Sequence, residues 1–333
     1  MKKDLDIKKF LLQGGLYFVL GLILLAIIIK EPTFLNIRNF KNILTQSSVR
    51  AIIALGVAGL IVTQGTDLSA GRQVGFSAVI SATLLQAMNA PNKLLKIDEV
   101  SLPVAILVVV VVGMIIGSIN GFVVSKFNLH PFIVTMGMMT VVYGANSLYY
   151  DKVGSSPISS FSEKYTSFAQ GSFNIGSFNL PYLIVYASIA AIIMWVLWNK
   201  TQFGKDLFAV GGNPEAANVS GVNVLLTFIK VYALSGMFYA FGGFLEAGRI
   251  GSATNNLGNM YEMDAIAACV IGGVSFYGGV GKISGVITGV LSLTVINYGL
   301  TYVGVNPYWQ YIIKGIIIVV AVAFDSLKYS KKK

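Results

Sequence analysis

The stretch closest to a phosphate-binding loop is Gly278-Gly279-Val280-Gly281-Lys282. A nucleotide-binding loop of the Walker type needs glycine at 276 and Ser or Thr at 283, but Phe276 and Ile283 stand there. The chain is therefore expected to bind no ATP by that route, and any energy input must come from elsewhere. The only histidine, His130, and the only cysteine, Cys269, lie far apart in sequence. They offer no zinc spacing and no disulfide framework. No Ser–His–Asp set is visible. These residues predict neither an enzyme nor a metal or cofactor held by this chain.

The remaining chemistry lies in polar residues set among long apolar runs. Asp67, Glu246, Asp264 and Lys314 fall at or inside such runs. Lys314 could pair with Glu246, or each could reach the membrane surface separately. Asp67 and Arg72, in GLIVTQGTDLSAGR, either pair beside a non-helical stretch that lines a cavity or belong to a solvated turn between spans. Gln64, Asn120, Tyr143, Asn146, Asn297 and Tyr298 add amides and aromatic hydroxyls. A neutral, hydroxyl-rich cargo needs such groups. Together with Asp67 and Lys314 they are the candidate lining of a path. Polar residues in spans also serve as hydrogen bonds between helices, and both uses stay open.

The elements that position them are membrane spans. Of 333 residues, 55% are hydrophobic and 11% charged, with mean hydropathy +0.73. Soluble domains carry about 25% charged residues. The formal charge of +10 sits mostly at termini and loop edges, which suits a lipid surface and predicts no nucleic-acid partner. Ten spans are expected, at about 10–29, 51–64, 73–88, 102–125, 131–150, 181–198, 224–245, 264–281, 283–302 and 307–325. The first is long enough to cross the bilayer and shows no cleavage site, so it reads as a retained span. Phe34, Ile37, Phe40 and Leu44 predict a separate amphipathic helix over 33–48, lying on the outer surface. Gly113, Gly117 and Gly121 form a small-xxx-small stripe suited to close helix packing.

The expected fold is all-α: one polytopic transmembrane domain over 1–333. It has an outer loop at 151–180, an inner loop at 199–223 and a basic cytoplasmic tail at 326–333. Both termini fall on the inner side, with a weak excess of Lys and Arg there. Residues 128–132 resemble 305–309, Gly113 and Gly289 share an offset, and Asp67 corresponds to Asp264 after a gap. This suggests two pseudo-repeated halves.

The 199–223 loop carries the sharpest local signal. Gly211 and Gly212 read as a flexible turn. Asn213 is a good N-cap, Pro214 suits the first helical position, and Glu215 suits the positive helix end. Gly221 can stop the helix in a left-handed conformation. A helix of about seven residues, about 10 Å long, cannot stand alone in water. It is either a connector or a docking element.

FGKDLFAVGGNPEAANVSGV resembles the cytoplasmic coupling loop of bacterial monosaccharide permeases from ATP-driven importers, the ribose, xylose and galactose type. GLIVTQGTDLSAGR, MDAIAACVIGGVSFYGGVGK and NPYWQYIIKG resemble the same family. The likeness runs over nearly the whole chain and is greatest to the galactose/methyl-galactoside branch. It implies a multi-pass protein of the bacterial inner membrane, working as a homodimer with its path on the two-fold axis. It further implies a periplasmic sugar-binding protein and a separate ATPase that uses ATP and magnesium. Gly211, Gly212, Asn213, Pro214, Glu215, Ala216, Ala217 and Gly221 would form the coupling segment. Ala216 and Ala217 would be its close-contact face, flanked by Phe203 and Phe208. The alternative is a secondary sugar transporter driven by an ion gradient. Such a carrier should keep carboxylates at mid-membrane, whereas Asp67, Glu246 and Asp264 fall at expected span ends.

Overall fold

The computed structural model describes residues 7–329 apart from 91, 92, 96, 99, 155, 176 and 177, with side chains described from 18 to 326 except 175–178. The basic tail lies largely outside the described residues. The fold is helical. In chain order come α1 (Ile7–Lys30), α2 (Ile37–Val62), α3 (Ala70–Leu84), α4 (Leu102–Lys126), α5 (Pro131–Lys152) and α6 (Glu163–Gln170). A small hairpin pairs β1 (Ser172–Ile175) with β2 (Phe178–Pro181). Then follow α7 (Tyr182–Lys200), α8 (Gln202–Gly212), α9 (Pro214–Val219), α10 (Val224–Ile250), α11 (Tyr261–Ile271), α12 (Ile283–Tyr302) and α13 (Pro307–Tyr329).

Helices occupy all ten expected span positions, but not all are full length. Among the described residues, seven of them are long and apolar enough to cross a membrane. Of α1, the described apolar part is Phe18–Lys30. The other two, α3 with 15 residues and α11 with 11, reach only about 22 Å and 16 Å at 1.5 Å per residue. Each covers part of a hydrocarbon layer of about 30 Å.

Two expectations are corrected here. The 33–48 segment is not a separate surface helix. Asn36 caps α2 by accepting the Asn39 N–H at 2.9 Å, and the helix runs unbroken for 26 residues. The hydroxyls of Ser47 and Ser48 bond back to the Leu44 carbonyl, so the polar stretch between the two apolar runs is absorbed within the helix. The expected eighth span over 264–281 is likewise not one helix. It begins earlier, at Tyr261, and stops at Ile271. Gly273, Gly278 and Gly279 then take positive φ (83°, 78° and 65°), a conformation that suits glycine and ends regular helix.

The two short helices are the second halves of broken spans. Between α2 and α3, residues 63–69 are non-helical. Between α10 and α11, residues 251–260 are non-helical. Gly71 packs on the Gly258 carbonyl and the Glu262 carboxylate, and Gly75 on the Leu257 carbonyl. The beginnings of α3 and α11 therefore meet.

The core is formed by α2 and α10, crossing at Gly56 against Ser235, Phe238 and Tyr239. On α10 lie α3 and α4. Gly113, Gly117 and Gly121 bring the α4 backbone onto Gly236, Tyr232 and Ile229, the close packing that their spacing implies. On α2 lie α11 and α12, with Gly289 against Ala268. Each long central helix thus carries the broken span of the other half. The expected 151–180 loop is structured. It contains α6 and the hairpin, and Tyr165 and Gln170 donate to the carbonyls of Phe244 and Gly248 at the end of α10.

Candidate coupling site and polar flank

At the end of the molecule opposite α6, the 199–223 segment folds into two helices. The Thr201 hydroxyl caps α8 by accepting the Gly204 N–H at 3.3 Å. Trp198 and Phe208 meet edge to face at 5.5 Å. Gly211 and Gly212 are not a flexible turn but the last residues of α8. Gly211 is buried, and a Cβ there would collide with the Val62 carbonyl. Asn213 then caps α9 by accepting the Ala216 N–H at 2.9 Å. Pro214 sits in the first turn, and Gly221 takes φ 89° just past the end.

The face that α9 presents differs from the expected one. Ala217 is buried, at 4% exposure, against the chain's own body. Glu215, Ala216 and Asn218 point outward, and Val219 stands 90% exposed. A six-residue helix capped at both ends with a bare valine at its tip is a shaped projection. A cleft of about 1330 Å³ lies beside it, lined among others by Gln64, Asn128, Asn213, Glu215 and Tyr277.

The stem of this projection is bonded to the stretch before α3 and packed on the turn after α11. Gln64, just after α2, donates from Nε2 to the Gly211 carbonyl at 2.8 Å. The Gly279 N–H donates to the Val62 carbonyl at 2.8 Å, and Gly278 packs on the Gly211 carbonyl. The glycine turn that superficially resembles a phosphate loop is thus spent on holding α8 against the ends of α2 and α11. Gly211, two residues before α9, thus touches both the 63–69 and the 272–282 stretches.

The eight candidate path residues fall into different environments. Asp67 is fully buried, accepting from the Ser69 N–H at 2.8 Å and the Ser69 hydroxyl at 2.5 Å. Asn120 is also buried and donates to that hydroxyl at 3.2 Å. Arg72 does not pair with Asp67. Its guanidinium bonds Asn259 Oδ1 at 2.9 Å and Asn256 Oδ1 at 3.4 Å, and lies 4.3 Å over the Tyr143 ring. Asn146 is buried and donates to the Asn255 carbonyl at 3.2 Å. Tyr298 ties α12 to α2 through Asn39 at 2.9 Å and Asn42 at 3.1 Å. Asn297 lies part-buried beside Thr294, Arg50 and Asp264.

Lys314 does not pair with Glu246. It meets Asp264 at 3.0 Å, and Arg50 meets the same carboxylate at 2.5 Å. Glu246 instead accepts from Arg249 at 2.7 and 2.9 Å and from Tyr261 at 2.6 Å. These two ion groups fasten the first turn of α11 to α2, α10 and α13. Of the eight candidates, Gln64 and Tyr143 are the exposed ones. Sequence reasoning missed Val219, Asn256 and Asn259. The last two sat in GRIGSATNNLGNMYE, whose composition reads as an ordinary loop.

A family model described as "Branched-chain amino acid transport system / permease component" matches residues 39–322. The chain belongs to that permease family. The permease is 64% identical over 332 residues to the "Galactose/methyl galactoside import permease protein MglC" of Haemophilus influenzae, covering 99% of this chain and 98% of that one. The protein of the same name in Escherichia coli K12 is 64% identical over 326 residues, 97% of each chain. The "Ribose import permease protein RbsC" of Escherichia coli K12 is 36% identical over 309 residues, 92% of each. No solved structure matches the permease. It is a multi-pass membrane permease of an import system, a transport component and not an enzyme, and the ion-gradient carrier is set aside.

Proposed function

We propose that the permease carries galactose or methyl galactoside across the bacterial inner membrane, driven by a separate ATPase and supplied by a periplasmic sugar-binding protein. The galactoside reading is supported by 64% identity over nearly the full length to import permeases of that name. The observation that carries the coupling is α9, whose Val219 is bare at its tip while its stem is bonded to Gln64 and packed on the glycine turn after α11. The ATPase receives Val219 in a groove, binds and splits ATP with magnesium, and moves α9. The stem passes that movement to residues 63–69 and 272–282, where the backbone is not locked into a helical ladder and can shift without breaking one.

The permease works as a homodimer. A second copy facing the first encloses the flank of α3 and α5, where Arg72, Tyr143 and Asn256 are otherwise open. The exposed apolar faces of α4 and α7 meet lipid. The binding protein delivers sugar at the end that carries α6 and the hairpin.

The test is complementation. Expressed with its ATPase and binding protein in a bacterium lacking galactose uptake, the permease should restore accumulation of labelled D-galactose and methyl galactoside. Restoration of ribose uptake alone would refute the galactoside reading and leave the permease reading standing.

A further inference from the structure

Arg72 is the third residue of α3, and its depth can be fixed against α10. The Oε1 end of the Gln73 side chain reaches within 3.3 Å of a Cβ built on Gly236, and the Val74 backbone packs on Gly243. Gly236 and Gly243 both lie inside the 27-residue α10, so Arg72 sits within the hydrocarbon layer, on the α6 side of its middle. The 251–260 segment reaches the same depth, since Gly258 packs on the Gly71 carbonyl. Asn256 and Asn259 are exposed there, and Tyr143 is 40% exposed. Polar side chains and non-helical backbone at this depth do not face lipid; they line water or are covered by protein.

The arrangement of these groups is specific. The two N–H arms of Arg72 hold the carbonyl oxygens of both amides. Each amide keeps its NH₂ group, with two donors, and neither donates to a partner among the described residues. Beside them opens a cavity of about 400 Å³ lined by Ser252, Thr254, Asn256, Asn259, Tyr261 and Tyr311, among others. That size falls in the range of roughly 300–1,000 Å³ of small-molecule sites. Aligned amide donors, two further hydroxyl side chains and tyrosine rings suit a neutral polyol with one apolar ring face. They do not suit a metal cation, which would need the acceptors that Arg72 occupies.

We infer that Asn256 and Asn259, oriented by Arg72, form a contact station for a monosaccharide inside the membrane, on the α6 side of the permease. This rests on the sugar-import reading above. The station gives the sugar hydroxyls a partial replacement for water inside the hydrocarbon layer, and its open side lets the sugar leave. Arg72 is a positioning residue, and the two asparagines touch the cargo.

The test uses the full assembly of permease, ATPase and binding protein in proteoliposomes, with D-galactose and its monodeoxy analogues as probes. The Asn256→Ala/Asn259→Ala double variant should lower D-galactose uptake at least tenfold, while ATP hydrolysis stimulated by the binding protein stays within twofold of wild type. The loss should shrink to within threefold for the analogue that lacks a contacted hydroxyl. Effects on the binding protein cancel in the ratio of variant to wild type, so a structural role would not produce that pattern. Arg72→Lys, which keeps the charge but cannot hold both amides, should reproduce the loss in part. Asn259→Cys in the assembled complex should react with a water-soluble maleimide. If wild type moves sugar and the double variant keeps pace within twofold, or loses uptake equally for every analogue, the station is refuted alone. An unreactive Asn259→Cys also refutes it. If wild type moves no monosaccharide, the import reading fails and the station falls with it.

Discussion

Val219 gives the coupling proposal a quantitative edge. Its side chain is 90% exposed, so it contributes almost nothing to the permease itself and everything it has to a partner. Fully burying a valine is worth roughly 1.5–3 kcal/mol. Val219→Ala removes about two methyl groups, or about 1.6 kcal/mol at about 0.8 kcal/mol each, which corresponds to about 15-fold in affinity. Val219→Asp places an unpaired carboxylate in the same groove, a loss of several kcal/mol, and should abolish docking. Neither change should alter the permease's own stability beyond about 0.5 kcal/mol, as for other exposed positions. The assay titrates the purified ATPase against the permease in nanodiscs, following stimulated ATP hydrolysis alongside the permease's thermal melting. The half-saturation point should move about 15-fold for alanine, with no stimulation for aspartate and unchanged melting for both. Half-saturation within twofold of wild type for both variants would show that α9 merely connects two spans.

Ala217→Arg should act differently, because Ala217 is buried at 4%. It should lower the melting temperature of the isolated permease, and unchanged melting would contradict the orientation assigned to α9. Gly113→Val must clash with the Gly236 carbonyl and with Ala240 Cβ, 2.7 Å from the new Cβ. The overpacking should cost about 1–3 kcal/mol or more, read as reduced melting temperature, whereas the open position Gly137 should accept alanine without loss. Asp264→Leu strands Arg50 and Lys314 against each other and should destabilise more than Lys314→Met, which leaves the Arg50–Asp264 pair intact; equal melting would show that the pairs are not coupled. For topology, Asn218→Cys should label only from the cytoplasmic side and Glu163→Cys only from outside, since native Cys269 is buried. Labelling of both from one side would refute the placement of α6 and α9 at opposite ends.

What could be read in the sequence was local. Asn213, Pro214, Glu215 and Gly221 define α9 because capping acts within a few residues. Gly113, Gly117 and Gly121 declare a packing stripe because their period matches a helix. What escaped depends on distant partners. Residues 33–48 and 51–64 read as two elements, yet they form one helix in which the Ser47 and Ser48 hydroxyls are satisfied. The glycines of 272–281 read as span residues, and only the fit of Gly278 against Gly211 requires their turn. The facing of Ala217 and Val219 is set by what α9 rests on, which spacing in so short a helix does not reveal. Asn256 and Asn259 belong to a polar stretch whose descent into the bilayer follows from Gly71 and Gly75, in a different half of the chain. Arg72 stands out in the sequence beside Asp67, but the partner its guanidinium bonds is Asn259, 187 residues away.

The most direct test of the account is energised uptake by purified components. The permease is reconstituted alone, or with its ATPase and binding protein, into sealed liposomes, and D-galactose accumulation is followed under internal ATP, a proton gradient or a sodium gradient. The account predicts accumulation only in the three-component vesicles, only with ATP and magnesium on the α9 side and binding protein on the α6 side. Uphill accumulation by the permease alone under an ion gradient would contradict it.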